Sequence, residues 1–253
     1  VTAGCSGADL AGMLNEAAIM AAREGRGAIT QADLNEGHLR TLAGPEKRSS
    51  MVTAEELPLI AYHEAGHVLC AELCPTHDKA QRATIKPRSK AAGLALYGRS
   101  DRALHYAQHF HEQLICALGG RAAEKIVFGH VSSGAQNDLE KVNEIARHAV
   151  EKLGLSPQLG QLTSRPSYFG SGLSERAQAT IDEEIERIIS EAYAEAIALL
   201  SSHRPQLDRL AQALLEGEDL DRLEITTAIG EIEGKVLPGS PDLGPKLIPA
   251  LSP

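Results

Sequence analysis

The amino-acid sequence predicts a mainly α-helical fold with a small β-sheet, and three observations carry that expectation. Apolar residues recur at helical spacing over most of the chain. Ala, Leu, Ile and Glu are abundant while aromatic residues make up only 3% and Trp is absent, a balance that suits helices packed on helices. Only two short runs have the β-prone composition of strands. With 253 residues and 43% hydrophobic content, one sizeable core is within reach, in one or two domains.

Taken in order, residues 8–24 place Leu10, Met13, Leu14, Ala17, Ala18 and Ala21 on one stripe, which predicts an amphipathic helix ended by Gly25 and Gly27. Thr30, with Asp33 three residues on, reads as the N-cap of a second helix that runs to about Leu42 and is closed by Gly44-Pro45. Residues 1–43 thus predict a helical unit of their own. The polar stretch 44–52 reads as a linker, 53–232 as the main domain, and the Pro/Gly-punctuated 233–253 as a disordered tail. The chain starts at Val1, and the reading is of a fragment.

In the main domain, Thr53 or Leu57 with Pro58 opens a helix that passes through His63 and stops at Pro75. Residues 83–86 and 93–98 are the two expected strands, the second long enough to offer an edge. Helices are expected at 104–118, 121–128, 138–153 and 174–201, and at 205–231 with a break near Gly217.

The formal charge of −9, with no basic stripe interleaved with aromatics, argues against nucleic acid as a partner. No run approaches the roughly 18 to 20 apolar residues of a membrane span, and the segment is expected to be soluble by itself. Cys5, Cys70, Cys74 and Cys116 are too few and irregularly spaced for a disulfide framework, which points to free thiols in a reducing compartment.

The chemistry is concentrated in His63-Glu64-Ala65-Gly66-His67. Four residues along a helix is one turn plus about 40°, so both imidazoles project from one face and suit one tetrahedral zinc ion. Glu64 is rotated about 100° from His63, too far to be a similar ligand but placed to serve a water as general base. Ala65 and Gly66 leave room for a neighbouring backbone beside the metal. Glu124, Asp138, Glu140 and Glu144 are all candidates for a third ligand, and spacing does not choose among them. Asp138 stands out only by opening its helix after a glycine-bearing turn, where an acid also stabilises the helix end. Two further clusters have metal-like spacing: Cys70, Cys74 and His77, and His105 and His109 with His111. The first has no second ligand pair to close a site and reads as buried thiols, and the second lacks a Glu next to its first His and reads as a polar helix start.

The segments SGADL, NEAAIMAAR, AYHEAGHVL, GGRAAEKIVFG, SSGAQNDLEKVNEIA and LSPQLGQL stand in an order that resembles FtsH-type AAA zinc metalloproteases over residues 2–231. The resemblance implies a helical zinc-peptidase domain preceded by the last helices of an AAA lid subdomain. It implies zinc ligands at His63, His67 and Asp138 and a catalytic base at Glu64. The substrate-pairing strand would be Gly93, Leu94, Ala95, Leu96 and Tyr97, with Gly7 and Ala8 near a nucleotide. No phosphate loop occurs in the chain, so ATP would act only through an upstream AAA module. A homo-hexamer, anchored in the inner (plasma) membrane through N-terminal segments and facing the cytoplasm, would cleave unfolded or membrane proteins. Pro58 and the SYFG of 167–170 depart from the family pattern. Two other readings stand beside the endopeptidase: a proteolytically inactive assembly or chaperone-like module of the same fold, and a zinc hydrolase acting on small molecules.

Overall fold

Two helices with matching caps open the molecule. A computed structural model describes residues 5–47, 52–88, 92–98, 104–161 and 174–230; the SYFG segment and the 233–253 tail lie outside them. Helix α1 (Gly7–Arg23) and helix α2 (Gln31–Ala43) each begin with a capping box, Ser6 with Asp9 and Thr30 with Asp33, in which side chain and backbone satisfy each other's free donors. The two pack closely because Gly37 has no side chain: a Cβ there would come 2.5 Å from the Met13 carbonyl oxygen.

Helix α3 (Leu57–Leu73) is the axis of the main domain, and twelve of its residues are buried. Pro58 lies in its first turn, where a backbone N–H has no helical partner to lose, so this departure leaves the helix intact. α3 packs on α4 (Ala107–Phe128) and α7 (Arg204–Gly217), while α4 also supports α5 (Gln136–Glu151) and α6 (Glu175–Ser202). Leu69, Leu114, Ile115, Leu200, Leu207, Leu210 and Leu214 fill the space between them.

An antiparallel three-stranded sheet caps one end, in the order β2-β1-β3, with β1 at Ala80–Thr84, β2 at Leu94–Tyr97 and β3 at Asp219–Asp221. Its register pairs Ala80 with Tyr97, Thr84 with Leu94, and Ala83 with Leu220. Helix α8 (Arg222–Ile229) is tied to the end of α3 by an ion pair from Arg222 to Glu72.

The structure corrects three expectations. The first strand lies at 80–84 rather than 83–86, because pairing with β2 starts at Ala80 and the backbone of Ile85 instead donates to the Glu218 carbonyl at 2.9 Å. The helices expected at 104–118 and 121–128 are one, α4, running unbroken through Gly119 and Gly120. These glycines are kept for close packing, not for a turn. The helix expected over 205–231 does break at Gly217, but a third strand, β3, fills the break, with Glu218 at a left-handed φ of 58° reversing the chain.

Candidate metal centre

The burial of α3 on all sides turns the His63-Glu64-Ala65-Gly66-His67 segment toward α4 and α5. Gly66 lies against the backbone of Gly119 and the Ala123 methyl, so α3 and α4 cross almost backbone to backbone. One residue further along α4, a Cβ on Gly120 would lie 2.6 Å from His67 Nε2 and 2.7 Å from His63 Nε2. The two imidazoles therefore occupy the space that any other residue at 120 would fill. Asp138 arrives from the other side, in the first turn of α5, after the short 3-10 turn Ser133–Ala135 that Ser132 caps.

Three ligand atoms converge there. His63 Nε2 and His67 Nε2 are 3.1 Å apart, and Asp138 Oδ2 lies 3.2 Å from the first and 3.3 Å from the second. Ligands held 2.0–2.1 Å from a tetrahedral metal are about 3.3 Å from one another, so the spacing matches without rearrangement. Among the described residues this is the one group of three or more metal-binding side chains gathered in this way.

The hydrogen bonds behind the imidazoles set which ring nitrogens face one another in front. His67 Nδ1 lies 2.7 Å from the carbonyl oxygen of Cys116, which only accepts, so this nitrogen donates. His63 Nδ1 donates in the same way to Glu124 Oε1 at 2.7 Å. Both Nε2 atoms then present lone pairs to each other and to the Asp138 carboxylate, a repulsive arrangement unless a proton or a metal ion lies between them. The charge balance reflects this demand. Burial lowers the proton affinity of His63, but the Asp138 and Glu124 carboxylates outweigh it and raise its pKa to about 10. Burial likewise works against ionisation of Asp138, and the two imidazoles prevail, holding its carboxyl far below the usual range. A divalent ion held by His63, His67 and Asp138 would meet the same demand.

Glu64 points into the same cavity, of about 380 Å³, which is also lined by Gly93, Leu94, Tyr97 and Lys141. Burial pushes its carboxyl pKa upward, opposed by the neighbouring imidazoles. Of the expected strand residues, Gly93, Leu94, Ala95 and Tyr97 line this cavity, while Leu96 lines a second cleft between β2 and the α1/α2 pair. Among the described residues β2 is an edge strand, bonded to β1 on one side.

The other sequence candidates separate cleanly. Glu124 is fully buried and orients His63 from behind, held by the Ser132 N–H at 2.6 Å and hydroxyl at 3.1 Å. Glu140 and Glu144 are exposed on α5. Cys70 and Cys74 are buried core thiols, and His77 Nδ1 donates to the Asp78 carbonyl at 2.8 Å. His105 and His109 stack with ring centres 4.1 Å apart, His109 bonds Thr76 O, and His111 pairs with Glu195. Gly7 and Ala8 lie in the exposed first turn of α1 and do not line the cavity that holds Glu64. Sequence reasoning missed the orienting roles of Glu124 and the Cys116 carbonyl and the space kept by Gly120. Adjacent glycines inside a helical pattern were the available sign of a close approach.

Comparison with known proteins adds the decisive observation: the sequence profile of peptidase family M41 matches residues 50–228, and that of the AAA+ lid domain matches residues 1–36. The chain belongs to peptidase family M41. Among M41 relatives it is 39% identical to the ATP-dependent zinc metalloprotease FtsH of a Synechococcus species, over 98% of this chain and 41% of the relative. It is 39% identical to the protein of the same name from Thermotoga maritima, over 93% of this chain and 41% of the relative. For the Bacillus subtilis FtsH the identity is 38%, over 88% and 37%. The resemblance drawn from the sequence motifs is thereby borne out, and this M41 chain spans about two-fifths of the length of these relatives. No helix among the described residues is long and apolar enough to cross a membrane.

Proposed function

We propose that this chain is a zinc-dependent endopeptidase, the proteolytic part of an ATP-dependent, membrane-anchored AAA protease that cleaves unfolded or membrane polypeptides. The observation that carries the reading is the convergence of His63 Nε2, His67 Nε2 and Asp138 Oδ2 at metal-ligand spacing, with the Glu64 carboxylate in the same buried cavity. In this reading residues 1–43 form the end of an AAA lid, 44–52 a linker and 53–232 the peptidase domain. A homo-hexamer and a nucleotide near Gly7 and Ala8 belong to the whole protein.

His63, His67 and Asp138 would hold the metal. Bound zinc supplies Lewis acidity, polarising the scissile carbonyl and lowering the pKa of water to about 7. Glu64, whose burial raises its proton affinity, accepts the proton of the attacking water and delivers it to the leaving amine. An extended substrate pairs with the free edge of Leu94–Tyr97, where main-chain hydrogen bonds hold varied sequences in one register. This explains how a single site accepts many polypeptides.

The test is Glu64→Gln, which keeps the shape and removes the base. Zinc stoichiometry should stay near one per chain, while cleavage of an unfolded polypeptide falls by about 10²- to 10⁴-fold. Undiminished cleavage with zinc retained would remove Glu64 from its role. A wild-type chain that binds zinc, assembles into rings and leaves unfolded protein uncut would favour the inactive assembly module.

A further inference from the structure

Gly93 precedes β2 and lies directly against the general base. A Cβ built there would be 2.5 Å from Glu64 Oε1, 2.7 Å from its Cγ and 2.8 Å from its Cδ. The backbone does not explain the glycine. The glycines with left-handed φ among the described residues are Gly25, Gly44, Gly129, Gly154, Gly160 and Gly230, and Gly93 is not one of them. What this position demands is empty space, and the atoms that fill that space are those of Glu64.

We propose that Gly93 is a positioning residue for the general base, its missing side chain keeping open the one pocket in which the Glu64 carboxylate faces the His63, His67 and Asp138 group. The inference rests on the reading of Glu64 as the base. It gives Gly93 a role separate from backbone pairing with substrate. Non-bonded carbon atoms settle at about 3.5–4.0 Å, so a methyl group at 93 requires the Glu64 side chain to move by about 1 Å. The clash includes Cγ as well as the terminal oxygen, so a small rotation of the carboxylate does not relieve it. All three atoms met belong to the Glu64 side chain and none to a backbone, so it is this side chain as a whole that must turn away. The cost therefore falls on chemistry rather than on stability. At the other end of β2, Gly98 offers a contrast: a Cβ there would meet only the Gln81 side chain, at 3.3 Å.

The experiment compares wild type, Gly93→Ala and Gly98→Ala as zinc-loaded chains on a short unstructured fluorogenic peptide, with zinc content and crystal structures of each. A misplacement of about 1 Å costs on the order of a hundredfold in rate. Gly93→Ala should accordingly lower kcat by about tenfold to a hundredfold, with KM within about twofold, zinc content unchanged and the Glu64 carboxylate visibly displaced. Gly98→Ala should keep wild-type kcat. If Gly93→Ala raises KM alone, its role is substrate pairing and the proposal is wrong; an unmoved Glu64 carboxylate, or a kcat within about twofold of wild type, also overturns it. Should Gly93→Ala not fold, the comparison is made by thermal melts in the Glu64→Ala background, which removes the Cγ, Cδ and Oε1 atoms that the methyl would meet, and there the added cost of Gly93→Ala to folding should shrink toward none. An undiminished cost in that background counts against the proposal. Full activity of Glu64→Gln would instead sink the underlying reading of the base, while the crystallographic displacement would still decide the contact.

Discussion

Two helix pairs in this molecule meet through glycine, and they differ in what the closeness achieves. In the α1/α2 pair, Gly37 admits the Met13 backbone and the result is packing. In the α3/α4 pair, Gly66 and Gly119 bring the backbones together, and Gly120 then leaves a space that two imidazoles enter. The pairs also differ in how their ends are specified. α1 and α2 each start with a reciprocal capping box, whereas the N-cap residues of α3 and α4, Glu56 and Tyr106, make no side-chain cap hydrogen bond. The first pair is defined locally by its caps and the second by burial. A close helix crossing is thus a general packing device that becomes a reaction centre when the residues lining the gap carry ligand atoms.

The comparison breaks most sharply at Gly120. Gly120→Ala places a methyl group within 2.7 Å of both His63 Nε2 and His67 Nε2, and neither ring can move back because each Nδ1 is already bonded, to Glu124 and to the Cys116 carbonyl. Zinc stoichiometry should fall from about one per chain to near zero, and with it all cleavage. The equivalent change in the other pair, Gly37→Ala, meets the Met13 carbonyl at 2.5 Å and should destabilise by about 1–3 kcal/mol while zinc binding persists. Metal analysis of the two purified variants, with thermal melts, checks both. Equal zinc loss in the two would erase the distinction.

A smaller effect is expected one layer behind the metal. Glu124→Gln keeps the volume but replaces the charged acceptor of the His63 Nδ1 proton with an amide whose oxygen must also serve Ser132. Loss of such an orienting partner weakens metal affinity by about 10- to 100-fold. Competition for zinc with a chelator measures it, and an affinity equal to wild type would deny Glu124 an orienting role.

These expectations also mark what was legible in the sequence. The caps of α1 and α2 and the i, i+4 spacing of His63 and His67 are local, and both were readable directly from residue order. Asp138 was not distinguishable by spacing from Glu124, Glu140 or Glu144; it entered through family resemblance, because the arrival of α5 beside the two imidazoles depends on a contact 75 residues from His63. β3 was hidden for the same reason: three residues carry no periodicity, and their partner Arg82 lies 137 positions away. Gly119 and Gly120 read as a break because helix propensity penalises glycine, whereas the structure uses them for contact across helices. What residue order hides is mostly what a second element supplies.

The finest test concerns whether the two pairs act together. Glu36 on α2 accepts Arg88 Nη2 at 2.7 Å and Nη1 at 3.2 Å, and Arg40 Nε at 3.0 Å. Arg88 follows β1 and is 2% exposed, so this pair joins the α1/α2 unit to the sheet. Burial raises the Glu36 pKa, but the two guanidiniums outweigh it and the carboxyl is held below its ordinary 4.5. A carboxyl depressed in the folded state contributes stability that is fully present above its unfolded pKa and is lost as pH falls through the lower folded value. Glu36→Gln should therefore cost about 2 kcal/mol at neutral pH, with the difference from wild type shrinking as the pH is taken below about 4.5. Denaturant unfolding at both pH values measures it, and zinc content should not change, since none of the three metal-group residues is involved. A cost that stayed constant with pH would mean that shape rather than charge joins the two units. Loss of zinc along with the ion pair would mean that the α1/α2 unit and the metal centre are coupled through β1.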